Sequence, residues 1–275
     1  MSTFYFSGIE KAATAKVLGE MQATGMMSRL QYSDDLMQVC NDLNLVLVMD
    51  SGAFTRPLTR AEIRAYALLI IKLGARCLWY ANADVRGDQV QSHANYQHLL
   101  SLLPEELHSR VLYIYQYGAD LRYLYEACAQ YQRIGIGGLV PLLQSQDSAK
   151  AFQVIVQLAH IIANYPAVPH FFGLSTVSII HALHDILPDF SVDSTTWLAG
   201  SRFGRLINNR GKQQSASELG YDFDQEAILK QNVRTMRKWV EGPTQAKKAV
   251  AMLQMSLDLS NAQEGIIHEI VRDSA

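Results

Sequence analysis

Two aspartates stand directly after short apolar runs: Asp50 follows Leu45–Met49 (LVLVM), and Asp193 follows Phe190–Val192 (FSV). Two carboxylates facing one glycosidic bond can carry out a double displacement. One attacks the anomeric carbon and forms a covalent sugar–enzyme ester, while the other gives and takes protons at the leaving base. Exchange of one base for another requires that intermediate to outlast departure of the first. Further chemistry-bearing residues follow other apolar runs: Asn82-Ala83-Asp84 after CLWYA, Gln116 after VLYIY, Gly137-Gly138-Leu139 after RIGI and Gly173 after HFF. Phe54, close to Asp50, offers a ring on which a planar base can stack, and a glycine-rich rim would let the base slide in. Each residue has a plainer role beside this one. An aspartate after a strand often caps the next helix or turn, and Asp193 before Ser-Thr-Thr fits an N-cap. A diglycine is commonly a tight turn, and a lone Gln116 is unremarkable. The whole set, in chain order, is what points to chemistry.

The elements that must position these residues alternate in type. Strands are expected at Phe4–Ser7, Met27–Leu30, Leu45–Met49, Cys77–Ala81, Val111–Tyr115, Arg133–Ile136, His170–Phe172 and Phe190–Val192. Helical periodicity marks Ile9–Ala23, Asp34–Leu43, Arg60–Leu73, Gln89–Leu103, Leu121–Gln130, Asp147–Ile162 and Thr176–Leu187, with two more helices near Asp224–Val240 and Thr244–Val271. Thr59-Arg-Ala-Glu62 is a capping box opening the third of these. LVLVM, apolar throughout, suits a strand covered on both faces. About seven to eight strand–helix units predict an α/β fold with a parallel sheet, and favour closure as a (β/α)₈ TIM barrel over the alternative, an open doubly wound sheet. No linker divides the chain, so one domain is expected, with its barrel core over about 1–207 and a loop and C-terminal helices over 208–275. Asn208–Gly220 reads as a surface loop. In such a barrel the active site lies at the C-terminal ends of the strands, which is where the residues above fall.

The chain has 275 residues, 49% hydrophobic and 18% charged, enough apolar content for a sizeable core and too little charge for a disordered chain. A formal net charge of −2 excludes a globally basic nucleic-acid binder and leaves a local basic patch as the alternative. The three cysteines, Cys40, Cys77 and Cys128, lie far apart, arguing against a disulfide framework and a thiolate zinc site. The first residues lack the order of a signal peptide, and no apolar run approaches the ~20 residues of a membrane span. A cytoplasmic protein without cofactor, metal or membrane contact is expected.

Asp50-Ser-Gly-Ala-Phe54 resembles the Asp-Ser-Gly-Gly-aromatic motif of the tRNA-guanine transglycosylase superfamily. The resemblance implies that Asp50 is the general acid/base and that Phe54 stacks on the base, with Ser51 beside it. Asp84 and Gln116 match the residues that recognise the base, and Gly137-Gly138-Leu139 matches a segment whose backbone touches it. Asp193, in SVDSTTWLAGSRFGR, stands where the family places its nucleophile, and Arg202 and Arg205 echo the arginines that follow. The likeness runs from about Phe4 to Arg205 and is sparse between motifs. There are departures. The tRNA enzymes carry a zinc site of three cysteines and a histidine after the nucleophile, and here no cysteine lies beyond Cys128. Ala53 replaces the second glycine, and Trp197 follows the nucleophile in place of the usual segment. DSGAF, NADV and SVDSTTWL look closer to a phage and bacterial branch implied to place 7-deazaguanine derivatives in DNA.

The expected substrates are therefore DNA, alternatively tRNA, and a free 7-deazaguanine base such as preQ0, with a helper protein for opening the duplex left open. A hydrolytic glycosylase and a catalytically silent nucleic-acid-binding module are the other classes. Between Arg202 and Lys248 basic residues outnumber acidic ones (Arg202, Arg205, Arg210, Lys212, Lys230, Arg234, Arg237, Lys238, Lys247, Lys248 against Glu218, Asp222, Asp224, Glu226, Glu241), so phosphate contacts are expected there, at Arg202, Arg205, Arg234 and Arg237. An ordinary solvated helical face is the alternative. Trp197 and Phe203 are candidate stacking platforms, with burial the alternative for Trp197, and His170 is a marginal candidate for the pocket.

Overall fold

The computed structural model describes residues 2–54, 56–145, 147–220 and 224–241. Met1–Val240 is one compact unit. The helix expected at Thr244–Val271, with Lys247 and Lys248, lies outside the described residues. Eight parallel strands close into a barrel in sequence order: β1 (Thr3–Ser7), β2 (Thr24–Ser28), β3 (Leu47–Asp50), β4 (Cys77–Ala81), β5 (Val111–Gln116), β6 (Arg133–Gly137), β7 (Val168–Phe171) and β8 (Ser191–Ser194). β8 closes on β1 with Tyr5 opposite Asp193. The fold is a (β/α)₈ barrel.

Helices fill the crossovers: α1 (Ala12–Glu20), α2 (Asp34–Asp42), α3 (Arg60–Leu73), α4 (Gln89–Leu100), the short α5 (Glu105–His108), α6 (Leu121–Gln130), the short α7 (Val140–Leu143), α8 (Ser148–Ile162) and α9 (Val177–Ile186). After β8 come α10 (Thr196–Ser201), the hairpin of β9 (Arg205–Ile207) and β10 (Gln213–Ser215), and α11 (Gln225–Val240). The capping box at Thr59 and Glu62 forms, each side chain meeting the other residue's backbone N–H. Three sequence expectations change. The second strand begins at Thr24 and not Met27, because Gly25 fits against Ile9 and Leu18 where any Cβ would collide. Asn208–Gly220 is not a plain loop: it supplies β10, and Ala216 is buried with Leu206 and Ile228. Trp197 is fully buried, its indole N–H donating to the Ser7 carbonyl at 2.8 Å, so it is no stacking platform.

Strand alternation divides the barrel into two packed regions. One parity faces the helices and forms the large core, with Phe4, Phe6, Met27, Leu47, Met49, Ile134, Ile136 and Val192. The other parity fills the barrel lumen with Tyr5, Met26, Val48, Trp79, Ala81, Leu112 and Ile114, joined by Phe172. Gly135 sits at a lumen position because a Cβ there would lie 2.7 Å from the Phe172 ring. In β4 the register shifts between its pairings of Cys77 with Leu47 and of Tyr80 with Met49. Cys77 and Tyr80, three residues apart, therefore both face the helices, and Trp79 turns inward with Ala81, which alternation counted from Cys77 would not give.

Candidate active site

On four strands, one step of two residues beyond the last lumen position reaches the rim, and there the side chains are polar. Tyr5 leads to Ser7, Val48 to Asp50, Ile114 to Gln116, and Ser191 to Asp193. All strands are parallel, so these positions share one rim, the C-terminal one where barrels of this architecture carry their chemistry.

Asp193 is almost fully buried, and its carboxylate is closely held. Oδ2 accepts from the Ser7 hydroxyl at 2.6 Å, and Oδ1 accepts from the Gly173 N–H at 2.8 Å. The His170 Nε2 lies 3.3 Å from the same Oδ1. Asp193 caps no helix: Thr195 precedes α10, and the carboxylate points across the lumen instead. Asp50 accepts from the Gly52 N–H through Oδ2 at 2.9 Å, a turn that depends on the left-handed φ of +76° at Gly52. A side chain at Gly52 would also meet Leu30 at 2.9 Å. Burial pushes the Asp50 carboxyl up to about 6; the Gly52 N–H opposes the rise and the charge of Asp193 adds to it. Arg29 opposes it too, its guanidinium donating to the Ser51 carbonyl at 2.7 Å beneath the loop. Ser51 itself is buried and accepts from the Ala53 N–H, so its hydroxyl shapes the turn and does not reach into the site.

Asp84 accepts from the Gln116 side-chain amide at 2.6 Å. Burial raises its carboxyl to about 7, the negative charge of Asp50 adds to this, and the Gln116 amide opposes it. Gln116 is in turn fixed from behind by Gln89, whose side-chain oxygen accepts from the Gln116 backbone N–H at 2.6 Å. Asp50, Phe54, Asp84, Gln116, Gly137, Gly138 and Leu139 line one slot, together with Ile114, Val140, Pro141, Phe172 and Arg86. Gly137 leaves space for Gln116, since a Cβ there would lie 2.7 Å from its Nε2, and Gly138 has a φ of +74°. The slot encloses about 60 Å³, room for a few water molecules at roughly 10–15 Å³ each. The exposed Phe54, on its loop, forms one wall of the slot. The Arg86 guanidinium lies over the Phe54 ring, 5.8 Å from its centre.

The barrel thus brings together the expected catalytic and base-binding residues, Ser51 serving from behind. The phosphate candidates are not gathered there. Arg202 is exposed and 3.8 Å from Glu10, on the loop after β1. Arg205 is exposed on β9. α1 descends from the rim toward β2, and α11 lies along it with Lys230 paired to Glu20 at 2.7 Å. Arg237, near the end of α11, donates to the Met21 carbonyl at 2.7 Å, at the opposite end of the barrel from the carboxylates. This corrects the expectation that Arg237 faces a polymer at the site; Arg234, exposed one turn earlier, follows the same descending helix. Phe203 is exposed.

Ser7, Arg86 and the full role of His170 escape a motif-based view. Ser7 ends an apolar run as Asp50 does, so the same rule would have found it. Arg86 carried no signal, lying within a loop. Among the described residues no cluster of His, Cys, Asp and Glu suits a metal ion. The class that the fold defines is the closed (β/α)₈ barrel, here with carboxylates on its C-terminal rim. No protein-family model matches the chain, and no curated protein matches it.

Proposed function

We propose that the chain is a base-exchange transglycosylase that replaces guanine in DNA with a 7-deazaguanine derivative. The observation that carries this is a closely held carboxylate, Asp193, across one rim from Asp50, beside a slot bearing the Asp84–Gln116 pair. Oδ1 of Asp193 is engaged by the Gly173 N–H and faces His170, while Oδ2 accepts one hydrogen bond from Ser7 and keeps a lone pair to attack C1′ of the sugar. The C1′–N9 bond breaks with its electrons going to the purine, and protonated Asp50 supplies the proton that makes the base neutral. The incoming base then gives a proton to Asp50 as its N9 attacks C1′, and the electrons of the C1′–Oδ2 bond return to Asp193. A carboxyl raised to about 6 is suited to both directions of that transfer. Asp84 and the Gln116 amide offer an acceptor and donor edge to a guanine-like base, with Phe54 as its stacking partner. DNA is favoured as polymer because the residues after Asp193 include no cysteine, unlike those of the tRNA-modifying enzymes the motifs resemble.

The test incubates the protein with labelled 7-deazaguanine base or labelled guanine and either DNA or tRNA. Label is expected to enter DNA, and Asp193→Asn should abolish its entry while leaving nucleic-acid binding intact. Label in tRNA alone would make tRNA the substrate. Release of guanine with no incorporation would make the protein a hydrolase. Normal turnover by Asp193→Asn would remove Asp193 from the mechanism.

A further inference from the structure

His170 lies at a lumen position of β7, opposite Ser191 of β8, one layer beneath the rim, and is fully buried. Its Nδ1 is 3.0 Å from the Ser191 hydroxyl. Its Nε2 has no hydrogen-bond partner in line, and Asp193 Oδ1 stands 3.3 Å away. A carboxylate oxygen is an acceptor, so the favourable tautomer carries its proton on Nε2 and accepts the Ser191 O–H at Nδ1. The ring is clamped by aromatic neighbours from β1, from β4 and from just past the end of β7, with centres at 5.8 Å for Tyr5, 4.9 Å for Trp79 and 4.4 Å for Phe172.

We infer that His170 is a positioning residue for Asp193: with Ser191 behind it, it directs an N–H at Oδ1, leaves Oδ2 as the reacting atom, and stabilises the carboxylate released when the covalent intermediate breaks down. The inference rests on the assignment of Asp193 as nucleophile. In the second half of the exchange the C1′–Oδ2 bond breaks, its electron pair returns to the carboxylate, and the new C1′–N9 bond forms. A donor at Oδ1 favours the ionised acid over the neutral ester, so it accelerates this step and keeps the intermediate from accumulating. The near-miss alignment at Nε2 suits a contact that tightens as charge returns. The ionisable and charged groups around the ring are Asp193 on β8, Tyr5 on β1 and, at longer range, Arg133 on β6. Burial holds the imidazole below its ordinary value, Asp193 acting in the opposite direction, so it enters as a neutral donor.

Two substitutions separate positioning from packing. His170→Leu keeps bulk and removes the donor; His170→Gln returns an amide N–H near the place of Nε2. Thermal melting confirms that both fold. Turnover of His170→Leu should fall about 10- to 100-fold, the effect of losing one hydrogen bond to a charged group. The fraction of enzyme trapped as covalent adduct should rise at the same time, and His170→Gln should recover most of the turnover. Undiminished turnover in His170→Leu, or a loss with no rise in adduct and no recovery in His170→Gln, would overturn the inference. Nitrogen-15 spectra of the histidine-labelled full chain read the contact without activity. The Nε2–H tautomer is expected, with its resonance moved by Asp193→Asn. An Nδ1–H tautomer, or indifference to that substitution, would also overturn it. If the wild-type protein forms no adduct, the nucleophile assignment is what fails, and the spectra alone decide whether His170 addresses Asp193.

Discussion

Asp50 and Asp84 are carboxyls that the folded chain keeps partly protonated. An unfolded aspartate releases its proton near 3.8, whereas folded Asp84 holds it up to about 7. Across that window the folded state binds more protons, so stability falls as pH rises, opposite to a salt-bridged aspartate. Asp84→Asn should remove the penalty while its side-chain oxygen still accepts from Gln116. The variant is expected to be more stable than the parent at pH 8 by about 1–3 kcal/mol, with the difference gone at pH 4. Melting curves at both values check this, and a variant no more stable at pH 8 would show that the carboxylate carries no such cost. Asp50→Asn, by contrast, should lower exchange about 10²- to 10⁴-fold through loss of proton transfer. A fall of less than tenfold across the pH range would assign the proton to another group. Both carboxyls are held at the rim against the preference of an ionised acid for water, which is the arrangement the proposed proton transfer requires.

At the scale of the element, the C-terminal end of β6 decides whether Gln116 can reach Asp84. Gly137 and Gln116 are register partners on adjacent strands, and the missing side chain of one makes the space the other occupies. Gly137→Ala should push the amide off Asp84, lowering kcat/KM for exchange at least tenfold while the melting temperature changes by only a few degrees. Unchanged kinetics would mean that the amide is not used. The turn at Gly138 adds a second constraint, because its left-handed backbone costs a residue with a Cβ about 1–2 kcal/mol. β4 shows the same dependence of site on strand geometry: its register shift brings Trp79 into the lumen against His170, and thereby supports the floor under Asp193.

For the whole molecule, electrostatics must be local, since the chain has a formal net charge of −2. Among the cations near the rim are Arg86, over Phe54, and Arg202, beyond α10. Arg86→Glu and Arg202→Glu should each weaken DNA binding and reduce its salt dependence by about one unit of slope. Arg237→Glu should leave the slope alone and destabilise the fold by about 1–3 kcal/mol, through loss of the hydrogen bond to the Met21 carbonyl. Binding titrations at several salt concentrations, with parallel melts, distinguish the two groups. A salt slope that responds to Arg237 and ignores Arg86 and Arg202 would move the polymer to the other end of the barrel. Among the described residues no helix is long and apolar enough to cross a membrane.

The barrel was legible in the chain because its signals are local. Eight short apolar runs alternate with helical periods, and parallel strands put all their C-terminal ends on one side, whether the sheet closes or stays open. Asp50, Asp84, Gln116, Gly137, Gly138 and Asp193 could be picked out for the same reason: each follows a strand, and strand ends share a rim. Boundaries moved by a few residues where packing outweighed pattern, as at Gly25, whose missing side chain admits Ile9. What the sequence could not decide was which side chains meet across the lumen. Ser7 and Asp193 are 186 positions apart yet share a hydrogen bond, and His170 reaches Asp193 from another strand, because closure of β8 on β1 brings them together. Nor could it decide the direction in which α11 carries its arginines: a helix that follows Asp193 in sequence descends along α1, so Arg237 ends far from the rim. Proximity along the chain sets local structure, whereas the facing of side chains is a property of the closed sheet and its packed helices, and only the tertiary fold determines it.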